Sequence, residues 1–175
     1  MNRLKLLIDI CSFFITLFLM SYTFLSPFAH EILGIILSIL IIIHLCLNFR
    51  WLKNTTIHFK KLKNKTKLLY FIDILILLSF LVTIWLGIDI SEEIFIFKTS
   101  NLFQKTLFHH VFGRISIFLM LIHFGLHLKM FVSKITKGKR FTVIFYIVYA
   151  ILSLIIITYL LYTLFNSFVW QSLSW

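Results

Sequence analysis

The sequence predicts an all-α, polytopic transmembrane helical bundle, and three observations lead to that class. Of 175 residues, 61% are hydrophobic and only 13% charged, at a mean hydropathy of +1.02, whereas a water-soluble domain carries roughly 25% charged residues. Five apolar runs each continue for about 18 residues or more, long enough for a helix to cross the bilayer core. Lipid offers backbone groups no water to bond, so such runs must be helices rather than open strands. No soluble catalytic domain fits in what remains.

The first span covers 4–25. Its MNRLK start looks like the basic region of a signal peptide, but the apolar stretch exceeds the usual length of about 7 to 15 residues and no A-x-A site follows, so it reads as a helix. Ser26-Pro27 ends it, because proline disfavours helix in the residue before it and cannot donate to the turn behind. The second span, 30–51, then returns as a hairpin partner. The third covers 68–90, the fourth 106–132 and the fifth 141–165. Trp51, Tyr70, Trp170 and Trp175 fall near the expected interfaces, where amphipathic rings prefer to sit. Cys11 and Cys46 lie inside apolar runs, and no disulfide framework, CxxC motif or covalent CxxCH haem site is available.

The net charge of +11 reads as membrane topology rather than nucleic-acid binding because of where it lies. Arg3 and Lys5 precede the first span; Arg50, Lys53, Lys60, Lys61, Lys63, Lys65 and Lys67 separate the second from the third; Lys129, Lys134, Lys137, Lys139 and Arg140 separate the fourth from the fifth. These are 14 of the 17 basic residues. The alternate loops hold Glu31, Asp89, Glu92, Glu93, Lys98 and Lys105. Positive charge marks the cytoplasmic side, so the N-terminus is expected in the cytoplasm and the C-terminus outside the cell membrane.

Seven histidines carry the chemistry. His58 falls in a loop; His30, His44, His109, His110, His123 and His127 fall in or at the ends of the second and fourth spans, where ionisable groups are functional candidates by default. His30 and His44 are 14 residues apart, as are His109 and His123. At about 100° per residue that spacing misses four full turns by about 40° and rises about 21 Å. Each pair therefore shares a helix face, one member near the outer surface and one nearer the inner.

The two helices are also copies. HEILGIILSILIIIHLCLNFR and HHVFGRISIFLMLIHFGLHLK both follow H-x3-G-x9-H-x3-[NH]-x-[RK], pairing His30 with His109, Gly34 with Gly113, His44 with His123, Asn48 with His127 and Arg50 with Lys129. The preceding spans echo this with KLLIDI at 5–10 and KLLYFIDI at 67–74, so two hairpins look like one repeated unit. Both copies run from outside to inside, which sets His30 level with His109 and His44 level with His123. Two histidines facing each other across a bundle can supply both axial positions of a haem iron, predicting two haem b groups in two layers. Gly34 and Gly113 would let a flat macrocycle approach the backbone; the plainer reading is close helix packing.

The stretches HHVFGRISIFLMLIHFGLHLKMF and HEILGIILSILIIIHLCLNFRW resemble the flavinylation-associated cytochromes, short membrane cytochromes similar to the cytochrome b subunits of formate dehydrogenases and nickel-iron hydrogenases. The resemblance covers about 4–130, departing at Gly113-Arg114, where small and aromatic residues are expected. It implies a four-helix di-haem cytochrome b core in 1–132, with 133–175 adding a basic loop, a fifth helix and a short tail. It also implies electron transfer across the membrane to an extracytoplasmic partner, often flavin-carrying.

Several assignments stay open. His110 is an alternative outer ligand and His127 an alternative inner one. Arg114 can hold a haem propionate or snorkel to headgroups. Asn48 and His127 can bind a quinone, contact propionates or cap helix ends. Asp9 and Asp73 can relay protons or mark helix starts near the interface. The loop 91–105 is the expected docking place of the extracytoplasmic partner. As an electron-transfer subunit the chain need not be an enzyme itself. Its rivals are a histidine-lined metal-ion transporter, which would want acidic or thiolate ligands at one midplane site, and a structural membrane-anchor subunit, which leaves the histidines unexplained.

Overall fold

The structure, a computed structural model, describes residues 3–20, 25–95, 100–135 and 139–173, and their side chains except at 129–131, 133–135, 139–142, 164 and 166–173. The described residues form α1 (Arg3–Met20), α2 (Pro27–Ile57), α3 (Asn64–Asp89), α4 (Leu102–Ile135) and α5 (Lys139–Leu173), with one 3₁₀ turn at Phe59–Lys61 and no strand. The chain is thus all-α, as its apolar runs require. Among the described residues, four helices are long and apolar enough to cross a membrane, Pro27–Ile57, Asn64–Asp89, Leu102–Leu128 and Val143–Thr163, which supports a multi-pass membrane protein. The described part of α1 carries Arg3, Lys5 and Asp9 within its 18 residues and does not join that set. Residues 21–24, the expected end of the first span, lie outside the described residues.

The helices outrun the apolar spans. The second was expected over 30–51, yet α2 runs from Pro27 to Ile57. Apolarity reports the thickness of the hydrocarbon, while a helix continues until its backbone meets a cap or a breaker. Ser26-Pro27 acts at this second boundary as a start: Ser26 Oγ accepts from Ala29 N at 3.2 Å and Pro27 occupies the first helical turn, where its fixed φ suits the helix and its missing N–H costs nothing. At the other end His58 Nδ1 donates to Asn54 O at 3.0 Å. Asn101, at φ 59°, makes the left-handed turn that opens α4, a conformation asparagine tolerates better than most residues.

The outward side chains suit a lipid solvent. Phe18, Ile42, Leu78 and Trp85 all face outward, Trp85 with 73% of its surface exposed, a pattern that water would penalise and hydrocarbon does not. Trp51 lies 6.5 Å from Tyr70, ring centre to ring centre, Phe59 lies 5.5 Å from Tyr70, and Lys67 stands over Phe59 at 5.8 Å. The side chains of Trp170 and Trp175 are outside the described residues.

The chain divides into two compact units, 1–120 and 121–175, the boundary falling within α4. In the first unit α1 packs on α2 and α2 on α3, and Ile8, Leu37, Ile72, Phe80 and Ile117 are buried. A polar seam joins α3 to the first half of α4: Ser116 Oγ donates to Ser79 Oγ at 3.0 Å. In the second unit Tyr149 of α5 donates its hydroxyl to the carbonyl of Leu121 and lies over Gly125, where a Cβ would come within 2.9 Å of the Tyr149 Oη.

Candidate functional site

His30 sits in the first turns of α2, and the capped start described above fixes its position; its N–H donates to Ser26 O at 3.0 Å. Beside it, Glu31 closes the adjoining loop. Glu31 Oε2 accepts from Ser91 Oγ at 2.7 Å and Ile94 N at 2.9 Å, and Oε1 accepts from Glu92 N at 3.1 Å and Glu93 N at 3.3 Å. Ser91 Oγ accepts in turn from Phe95 N at 2.8 Å. The carboxylate thus fills a nest of backbone donors and ties the segment after α3 to the start of α2. Asp89 and Lys105, 2.5 Å apart, join the end of α3 to the start of α4.

Across this layer the His30 and His109 rings lie 6.2 Å apart, centre to centre, with planes at 72°. Metal–imidazole bonds of about 2.0–2.1 Å place two imidazole centres roughly 6.3 Å apart on opposite sides of one metal ion, and axial ligands are free to differ in rotation about their bonds. The spacing thus leaves room for one metal ion between the two imidazoles, and it is also that of an edge-to-face ring contact. His109 is also fixed by a hydrogen bond to the preceding helix. Its Nδ1 lies 2.9 Å from Thr83 O; a carbonyl can only accept, so Nδ1 carries the proton and Nε2 keeps its lone pair. His110, with its ring 5.8 Å from that of His109, is exposed.

The glycines separate into two kinds. At Gly34 an added Cβ would meet nothing within 4 Å, and at Gly113 only Thr83 Cγ2 at 3.8 Å. Among the described residues, neither is a contact that only glycine permits. Gly87 does serve packing: a Cβ there would stand 3.0 Å from His109 Cε1 and 3.4 Å from Nδ1. Sequence reasoning missed Gly87 and Thr83. Their signal is Ser79, Thr83 and Gly87, three small residues spaced by four in α3, a spacing that lines one helix face for close approach. Arg114 follows Gly113 and is half-buried.

At the other end of α2, His44 Nδ1 is 2.7 Å from Asp9 Oδ1 of α1. Asn48, one turn on, bonds His44 O at 2.9 Å through Nδ2, which also stands 3.3 Å from His44 Nε2, while its Oδ1 accepts from Lys5 Nζ at 3.1 Å. In the second unit His123 and His127 stack one turn apart, ring centres 4.7 Å apart. His44 belongs to the first unit and His123 to the second. Among the described residues, no three or more His, Cys, Asp or Glu gather into a set that could hold a metal ion. The chain matches no family model, no curated protein and no solved structure.

Proposed function

We propose that this membrane protein is a di-haem b-type cytochrome that carries electrons across the bilayer. The observation that supports it best is the His30–His109 pair, 6.2 Å apart, with His109 Nε2 left as a lone-pair donor by the Nδ1 bond to Thr83. His30 and His109 would hold the haem of the outer layer; the assignment of His44 and His123 to an inner one is carried by the sequence repeat alone. Haem supplies reversible one-electron chemistry at its iron; the protein supplies ligation, orientation and the local field. Gly34 and Gly113 would let the macrocycle approach the backbone, and Arg114 would pair with a propionate.

The basic loops set the N-terminus in the cytoplasm. Electrons are exchanged at the inner layer with a quinone pool or another donor, and at the outer layer with an extracytoplasmic redox protein. The loop held by Glu31 adjoins His30 and is where that protein would dock. The family resemblance makes this partner a flavin carrier. An absorption spectrum of the purified protein before and after dithionite tests the reading: sharp reduced bands of low-spin haem b are expected, and a pyridine haemochrome assay should return two haems per chain. A protein made in haem-replete cells that contains none refutes it.

A further inference from the structure

Between positions 50 and 67, at the end of α2 and the start of α3, the chain holds seven basic residues and no acidic one. Among the described residues, none of these basic side chains is paired with a carboxylate. Like charges gathered in one turn repel one another, and an anion brought among them relieves that repulsion.

The turn is also shaped. Thr56 to Lys61 line an open cleft of about 400 Å³, within the range of about 300–1,000 Å³ of small-ligand sites. Thr56 Oγ1 donates to Leu52 O at 2.8 Å, which commits its one hydrogen, so the Tyr70 hydroxyl, 3.0 Å away, donates to Thr56. The Phe59 ring lies against that of Tyr70, and Lys67 stands over it at 5.8 Å. Contacts from α3 therefore hold two residues of the cleft wall, and Lys67 joins Lys60 and Lys61 beside it. Lys61 N bonds His58 O at 2.9 Å and Leu62 N bonds Phe59 O at 3.2 Å, which fixes the backbone that carries the two lysines.

The surface here is chemically mixed. Ile57 is 64% exposed and Phe59 40%, so apolar side chains lie among the ammonium groups. RNA or an acidic protein segment would answer the charge and leave Ile57 in water. A phospholipid answers both, with its phosphate on the lysines and its glycerol and upper acyl chain on the apolar side chains. The turn also joins two helices apolar enough to cross a membrane, which brings it to the level of the headgroups.

We propose that this cleft binds the phosphate headgroup of an anionic phospholipid, with Lys60, Lys61 and Lys67 on the phosphate and Phe59 against the glycerol. Haem plays no part in it. What sets it apart from the general attraction of basic loops to a charged leaflet is that three lysines and one ring carry it, rather than the whole turn.

The test is a titration of the full-length protein in neutral detergent with phosphatidylglycerol, and with phosphatidylcholine for comparison, bound lipid being counted by native mass spectrometry. Wild type should take phosphatidylglycerol in preference. Lys60→Gln, Lys61→Gln and Lys67→Gln combined should weaken its tightest site more than about tenfold, since each lysine beside an anionic headgroup is worth about fivefold. Lys53→Gln, Lys63→Gln and Lys65→Gln combined remove the same charge from residues that do not line the cleft, and with salt screening should cost less than about threefold. Phe59→Ala keeps every charge and should still weaken the site. Helix content by circular dichroism checks folding; should the cleft triple variant not fold, Lys60→Gln alone decides, at about fivefold. Equal losses in the two triple variants, or no loss in Phe59→Ala, would mean diffuse attraction by the whole turn and overturn the site. A wild type that takes both lipids equally overturns it too. Inorganic phosphate or a short RNA that displaces the lipid at equal concentration would replace the lipid as occupant and overturn the proposal.

Discussion

Substituting Gly87 by alanine should weaken haem binding at the outer layer without unfolding the protein. The added Cβ would stand 3.0 Å from His109 Cε1 and 3.4 Å from Nδ1, whereas carbon atoms rest about 3.5–4.0 Å apart. The imidazole must retreat from α3 by about 0.5 Å or more. Thr83 and Gly87 lie one turn apart on that helix, so the same retreat stretches the 2.9 Å bond from Nδ1 to Thr83 O towards a length at which it no longer counts as a hydrogen bond. That bond is worth about 0.5–1.5 kcal/mol, and losing a partner that orients a metal ligand costs about 10–100-fold in affinity. The helix itself gains about 1 kcal/mol from alanine over glycine, so the fold should survive. Haem titration into apoprotein should show one site weakened 10–100-fold and the other unchanged. Two unchanged affinities would mean that Gly87 and Thr83 do not position a ligand.

Gly34→Ala should raise helix stability by about 1 kcal/mol and yet lower occupancy of the same haem site; full haem content together with raised thermal stability would show that the open space at Gly34 faces lipid. His30→Ala or His109→Ala should remove one haem, and His44→Ala or His123→Ala the other, as counted by pyridine haemochrome; a variant that keeps both identifies a wrong ligand, with His110 and His127 next to test. A reporter fused after Lys65 or Lys137 should be cytoplasmic and one at Trp175 extracytoplasmic, and the opposite pattern would invert the layers. Replacing Asn48 and His127 together by alanine should slow quinol-dependent haem reduction with both haems retained; unchanged kinetics would rule out a quinone there.

The helices were legible because a lipid solvent leaves the chain so few choices, and their ends were not because apolarity ignores caps. Ser26-Pro27 shows the difference: the sequence marks a boundary, but only the hydrogen bond to Ala29 shows that it opens α2. The histidine faces were legible from the helical period, which fixes rotation and rise along a single helix. What one helix offers another was harder to read. A helix that is apolar on all sides has no polar face to reveal its orientation, so Ser79, Thr83 and Gly87 passed as ordinary residues of an apolar run. Asp9 was visible as an acidic residue in such a run; its partner on α2 came only from the register of the hairpin.

A ligand histidine differs from one that fills space or carries a proton in what holds its second nitrogen. Iron needs a neutral imidazole with a lone pair aimed at the metal, and a partner that can only accept secures this by keeping the proton on the other side. His109 has such a partner in the carbonyl of Thr83 and His44 in the carboxylate of Asp9. The two acceptors come from α3 and α1, the helices that precede α4 and α2 in the two hairpins. The two acceptors are not repeat equivalents: Thr83 backs His109, the counterpart of His30, whereas Asp9 backs His44, the counterpart of His123, and the residue that aligns with Asp9 is Asp73. Repetition thus accounts for the matched histidines of α2 and α4, while the acceptor behind each of His109 and His44 belongs to its own hairpin alone.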